Sequence, residues 1–215
     1  MTSSTIGIIG SGGLGSNVAR VLAQKGVSAT IANSRGPASL ASFIEEVGPS
    51  IKAGTVAEAA RADIVLVAVR WESLSKLLGG MPAWNGRIVI DGTNPVEFLD
   101  PNVPKDPTNP LAEWGIKAID LGGKHSSAVF REMVPGARVV KALNHLDVNV
   151  LPQTVASGGQ RVQFFSGDDV EAKAEVRKLL EAAGYFAVDL GMLDAGGPLA
   201  QLPFGPLAAI NFIKI

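Results

Sequence analysis

Short β-branched runs alternate with Ala- and Leu-rich amphipathic stretches from Thr5 to Asp91, and that alternation leaves a 215-residue chain few architectures to adopt. Strands are expected at Thr5–Ile9, Ser28–Ala32, Ile51–Ala53, Asp63–Val69 and Arg87–Asp91. Helices are expected between them at Leu14–Gln24, Pro37–Val47, Val56–Arg61 and Glu72–Leu78. The segment Asp63–Val69 is apolar almost throughout, as a strand covered on both faces must be. Hydrophobic residues make up 47% of the chain and aromatics only 6%, so the core is aliphatic, which suits a buried parallel sheet better than a sandwich. Five prolines between Gly92 and Pro110 and the absence of any period predict a long loop, and long loops in compact domains are usually functional or mobile. A helix at Ser126–Met133, capped by Ser126 or Ser127, and a strand at Arg138–Leu143 follow. Beyond them come a strand at Arg161–Ser166, a helix at Asp168–Ala183, a strand at Tyr185–Asp189 and an apolar helix from Leu199. The expected fold class is α/β: a doubly wound parallel sheet over residues 1–143, with a small C-terminal α+β extension over 144–215.

Charge and composition remove several functions. A formal net charge of −1 with no run of Lys or Arg offers nothing to nucleic acid. With no cysteine, thiol catalysis and disulfides are excluded, and with only His125 and His145 no metal site is expected. Met1-Thr2-Ser3-Ser4-Thr5 has no basic leader, and the most apolar stretch, Gly196–Ile215, is interrupted by Pro198, Pro203 and Pro206. A cytoplasmic protein without a membrane partner is the expectation.

Gly10-Ser11-Gly12-Gly13-Leu14-Gly15 fits G-x-G-x-x-G, follows the strand Ile-Gly-Ile-Ile and opens a helix. Gly10 makes the tight turn, Gly12 admits a diphosphate to the backbone, and Gly15 lets the helix lie close to the sheet. The helix amino end presents free N–H groups to that anion. This is the dinucleotide signature of a Rossmann domain. An NAD site usually carries an acid at the end of the second strand. Here that end reads Ala32-Asn33-Ser34-Arg35, with no acid, a hydroxyl at Ser34 and a planar cation at Arg35, so NADP is the expected cofactor.

Ala68, Val69 and Arg70 end the fourth strand, and Thr93, Asn94 and Pro95 follow the fifth. Ligands sit at the carboxyl edge of such sheets, so these residues are expected around the nicotinamide, with Thr93 or Asn94 on its carboxamide. Arg70 and Trp71 are either substrate contacts or a helix start and a packing aromatic. Lys141 and His145, where the extension begins, are the candidate catalytic proton donors. Asp168-Asp169 reads as the acidic first turn of a helix rather than a metal site. This scarcity of acid–base groups favours hydride passing between two flat heterocycles, for which stacking and alignment suffice.

Together these residues resemble the NADPH:coenzyme F420 oxidoreductases. The likeness rests on the loop 10–15, Asn33-Ser34-Arg35, Val69-Arg70-Trp71-Glu72, Val139–His145, Gly167-Asp168-Asp169 and Asp194-Ala195-Gly196. It runs along essentially the whole chain, although Arg70-Trp71 stands where the family often has Pro-Trp, and the loop 92–110 departs from archaeal members. The resemblance implies hydride exchange between NADP(H) and a 5-deazaflavin, with a flavin such as FMN as an alternative co-substrate. It also implies a second domain that closes over the nicotinamide, and a homodimer, expected here through the helix 199–215. Two other readings remain open: an imine or carbonyl reductase using Lys141 or His145, and a catalytically silent NADP(H) sensor.

Overall fold

A computed structural model describes residues 4–215; residues 1–3, part of the segment read as lacking a basic leader, lie outside it. The first half follows the local pattern. β1 (Ile6–Ile9), α1 (Gly13–Gln24), β2 (Ala29–Ala32), α2 (Ala41–Val47), β3 (Ile51–Ala53) and α3 (Val56–Ala59) come in turn. They lead into β4 (Ile64–Val67), α4 (Leu74–Leu78) and β5 (Ile88–Asp91), with short 3₁₀ turns opening the second and fourth helical segments. Alternate residues of each strand feed two cores. Ile8, Leu66, Ile90 and Val140 pack in one, and Ile9, Val65, Val67, Val89 and Val139 in the other. A strand buried on both faces must read as apolar throughout, which is why these segments show no alternation in sequence.

The loop after β5 carries structure that the prolines conceal. β6 (Val96–Phe98) pairs antiparallel with β7 (Ile116–Ala118), matching Phe98 to Ile116, and the two form a separate ribbon. α5 (Ser126–Met133) and β8 (Arg138–Ala142) then return to the main sheet. Neither Ser126 nor Ser127 caps α5: the cap position is His125, without a side-chain hydrogen bond.

β9 (Val155–Ala156), β10 (Gly159–Gly167), α6 (Val170–Ala182), β11 (Phe186–Asp189), α7 (Leu193–Ala200) and β12 (Ile213–Lys214) complete the chain. The main sheet runs β11-β10-β8-β5-β4-β1-β2-β3, with β9 and β12 attached to β10. From β8 to β3 the strands are parallel, whereas β10 is antiparallel to β8. This is a doubly wound, Rossmann-like sheet extended at one edge, and it crosses position 144 without a break. The expected helix from Leu199 is a correction. α7 spans Leu193–Ala200, and the chain beyond it forms turns and then β12, because Pro203 and Pro206 supply no N–H to a helical ladder. No helix among the described residues is long and apolar enough to cross a membrane.

Candidate functional site

Gly10 has a backbone angle φ of 114°, a conformation L side chains rarely adopt, and a Cβ there would overlap the carbonyl of Ala68. A Cβ on Gly15 would overlap the carbonyl of Gly10, so α1 can leave the sheet only with glycine at both positions. Gly12 differs: nothing lies within 4 Å of a Cβ built on it, and it is exposed. The space above Gly12 is therefore open to a ligand, at the amino end of a helix that lacks a side-chain cap. Ser16 Oγ donates to the carbonyl of Ser11 (2.9 Å) and steadies the loop. Leu14 reaches over the end of β5, where a Cβ on Gly92 would come within 2.8 Å of it. Gly13 faces Val148, whose carbonyl accepts a 2.6 Å hydrogen bond from Asn17, so the start of the extension packs against the glycine loop.

Beside that loop, the buried Asn33 side chain organises the end of β2. Its Nδ2 donates to Ser11 Oγ and to Ser39 Oγ, both at 3.0 Å, and its Oδ1 accepts the backbone N–H of Arg35 at 2.9 Å. Ser34 and Arg35 are exposed, so Asn33 shapes the turn while its two neighbours face solvent.

At the ends of β4 and β5 the picture changes. Ala68 is buried, Val69 half-buried and Arg70 exposed, with the Arg70 guanidinium 5.0 Å from the Phe98 ring centroid. Trp71 is buried and serves as a packing aromatic. Asp91 and Lys141, register partners on adjacent parallel strands, form an ion pair at 2.9 Å with their side chains 0% and 1% exposed. Lys141 Nζ also donates to the carbonyl of Thr93, and Asp91 Oδ1 accepts both the N–H (2.9 Å) and the hydroxyl (2.6 Å) of Thr93. Burial pulls the Lys141 pKa below that of a solvated lysine, and Asp91 opposes the shift. Asn94 Nδ2 donates to the Asn144 carbonyl (2.7 Å), while its Oδ1 accepts from Asn144 Nδ2 (3.1 Å) and from the Leu202 N–H (2.9 Å). Pro95 is buried beside them.

His145 is 0% exposed, its ring centroid 4.8 Å from that of Phe164, and neither nitrogen has a partner among the described residues. Burial lowers its pKa to about 4. Both nominated proton donors thus face inward, as do the Thr93 and Asn94 side chains expected on a carboxamide. Sequence reading did not pair Lys141 with Asp91, although each follows an apolar run at the end of neighbouring strands. Nor did it single out Gln201, whose Oε1 accepts the Ser126 N–H at 2.9 Å across 75 positions. Asp169 caps α6 through the Ala172 N–H (2.7 Å), and Asp168 bonds the Leu193 N–H (2.9 Å) and Arg131 (2.9 Å). Among the described residues no group of His, Asp and Glu could hold a metal ion.

A family model described as NADP oxidoreductase, coenzyme F420-dependent, matches residues 5–95. The crystal structure of hypothetical protein SMa0349 from Sinorhizobium meliloti aligns at 38% identity with a TM-score of 0.86, over 99% of this chain and 96% of that one. A candidate F420-dependent NADP reductase from Arthrobacter sp. FB24 aligns at 26% identity and a TM-score of 0.64, over 88% and 86%. Metalloreductase STEAP3 of Rattus norvegicus is 28% identical over 201 residues, 92% of this chain but 36% of that protein, so the chain spans about a third of its length.

Proposed function

We propose that this chain, whose residues 5–95 match the family model of coenzyme F420-dependent NADP oxidoreductases, takes as its acceptor a flat redox heterocycle, a 5-deazaflavin of the F420 type or a flavin such as FMN. The observation that carries this reading is the sealing of Lys141 and His145. Reduction of a ketone or imine needs a proton donor at the reacting atom. The two residues nominated for that task are held in a buried ion pair and an apolar pocket. Exchange between two stacked rings asks the protein for alignment and exclusion of water, and a rigid floor suits that task.

The dinucleotide, when bound, supplies or takes up the hydride. Its diphosphate would lie over Gly10, Ser11, Gly12 and Gly13, met by the N–H groups of Gly13 and Leu14, with Gly15 keeping α1 against the sheet. Ser34 and Arg35 would take the 2′-phosphate from the turn that Asn33 shapes. Ala68, Val69 and Arg70 would wall one side of the nicotinamide, and the 93–95 segment the other. Thr93, Asn94 and Pro95 would contribute backbone and shape there, since the polar side chains are already engaged. Lys141 then acts as a positioning residue, fixing Asp91 and the Thr93 carbonyl.

The test is NADPH oxidation measured in parallel with F420, FMN, FAD and no acceptor, with a further arm of ferric ion plus FMN because of the metalloreductase likeness. Turnover with F420 or a flavin upholds the proposal. Silence with all of them, alongside measurable NADPH binding, favours the sensor reading. The homodimer belongs to this proposal as well, through the exposed Leu199 at the end of α7 and Phe204 and Ile210 in the turns beyond it. Light scattering that reports a monomer at micromolar concentration would remove it.

A further inference from the structure

Strand order gives the carboxyl edge a direction: β2 carries Asn33-Ser34-Arg35, β1 the glycine loop, β4 and β5 the proposed nicotinamide wall, and β8 comes next. The segments that follow β7 and β8 hold polar atoms outside the proposed dinucleotide site. Among the described residues His125 Nδ1, Ser126 Oγ and Asn144 Oδ1 are buried polar atoms without a hydrogen-bond partner, and Ser126 is 0% exposed. Folded proteins rarely leave such groups unpaired without a reason. Ser126 is also the first residue of α5, where free N–H groups and the helix dipole favour a carbonyl or a partial negative charge. The Ser126 N–H is covered by a side-chain carboxamide of the chain itself, Gln201 Oε1.

We propose that the amino end of α5, with Ser126 and Asn144, is the seat for the imide edge of the acceptor ring, and that Gln201 covers it until the acceptor arrives. The backbone on either side of Gln201 is anchored: the Ala200 carbonyl accepts from Asn144 Nδ2, and the Leu202 N–H donates to Asn94 Oδ1, both at 2.9 Å. The half-buried Gln201 side chain makes one hydrogen bond and can rotate away while its backbone stays in place. Rotation frees the Ser126 N–H as a donor beside the Ser126 hydroxyl, and the side-chain Oδ1 of Asn144, whose Nδ2 is tied to the Ala200 carbonyl next to Gln201, offers an acceptor. Donors next to acceptors match the alternating C=O and N–H groups on the pyrimidine-dione edge of a flavin or deazaflavin. A helix amino end there also favours the negative charge that this edge gains on reduction. This inference rests on the flavin or deazaflavin reading of the acceptor.

FMN and coenzyme F420 are titrated into the 215-residue protein saturated with NADP, followed by ligand fluorescence, with NADPH affinity measured in parallel. Ser126→Ala should weaken acceptor binding about five- to tenfold, the loss expected for one hydrogen bond, and leave NADPH within about twofold. Gln201→Ala should tighten acceptor binding. Gln201→Glu should weaken it, because a carboxylate holds the helix end more firmly than a carboxamide. Wild-type affinity for FMN and F420 in all three variants would overturn the proposal, as would a loss in Ser126→Ala that falls on NADPH instead. If the wild-type protein neither binds nor reduces FMN or F420, the acceptor reading itself fails, and this inference with it.

Discussion

The two ends of the sheet's carboxyl edge are built from similar residues and treat them in opposite ways. At β1 and β2 the polar groups stay available. Gly12 is open, Ser34 and Arg35 face solvent, and Asn33 spends its amide on shaping their turn. At β5 and β8 most are engaged internally: Asp91, Lys141 and Thr93 hold one another, and Asn94 bonds Asn144 and the Leu202 N–H, while Asn144 Oδ1 stays unpaired among the described residues. On the proposed reading the first end receives a charged ligand, whereas the other is a floor whose polarity is largely turned inward. Polar residue types alone therefore do not locate chemistry; what decides is whether their hydrogen bonds are already made.

The largest expected effect tests the floor. Removing one member of a buried pair leaves the other charged and unpaired, so Lys141→Met should cost about 3–5 kcal/mol in urea or thermal unfolding. Adding Asp91→Asn should restore most of that, since an asparagine oxygen can still accept from Thr93. A Lys141→Met protein that keeps its stability but loses turnover would place this lysine in the reaction instead.

His145 sharpens the same contrast through pH. Its folded pKa of about 4 lies below the unfolded value of 6.5, so the fold prefers the neutral ring. Between those values the unfolded chain binds more protons. The contribution is therefore complete above pH 6.5 and is lost as pH falls toward 4, amounting to about 3 kcal/mol in full. His145→Leu should flatten the pH dependence of stability in this window. A wild-type profile already flat there would mean that the ring finds a proton partner.

At the open end the effect is smaller and falls on binding. Arg35→Ala should weaken NADPH roughly twentyfold, near 2 kcal/mol for a charge-assisted contact, while NADH changes by less than about threefold. Equal losses for both dinucleotides in a titration would undo the assignment of Arg35 to the 2′-phosphate.

How far each end was legible follows from the range of its interactions. β1 to β5 and α1 announce themselves through local period, and the glycine loop through residues within six positions of one another. The ribbon β6–β7 escaped because its strands are three residues long and lie on either side of a proline-rich stretch. The segment after Ala200 was apolar enough to suggest a helix, but apolar composition without a 3.6-residue period does not require one. The Asp91–Lys141 pair spans 50 positions and yet was readable in principle, from charges that end neighbouring buried strands. Gln201 on Ser126 was not, because the partner is a backbone N–H that any residue would offer.

Gly12 gives the finest test, because it separates binding from folding within one motif. Gly12→Ala meets no atom within 4 Å, and the residue's φ of −76° is one that alanine adopts freely. Alanine is a poorer helix cap than glycine, but it also lowers the entropy of the unfolded chain, and the two effects nearly cancel. Stability should therefore change by no more than about 0.5 kcal/mol. NADPH affinity should nonetheless fall at least about tenfold, because the new methyl group occupies the approach to the diphosphate. Gly15→Ala, which forces a methyl into the Gly10 carbonyl, should fail in the opposite order, losing stability first. If Gly12→Ala bound NADPH normally, the diphosphate would have to lie elsewhere, and the open end of the edge would lose its claim to the ligand.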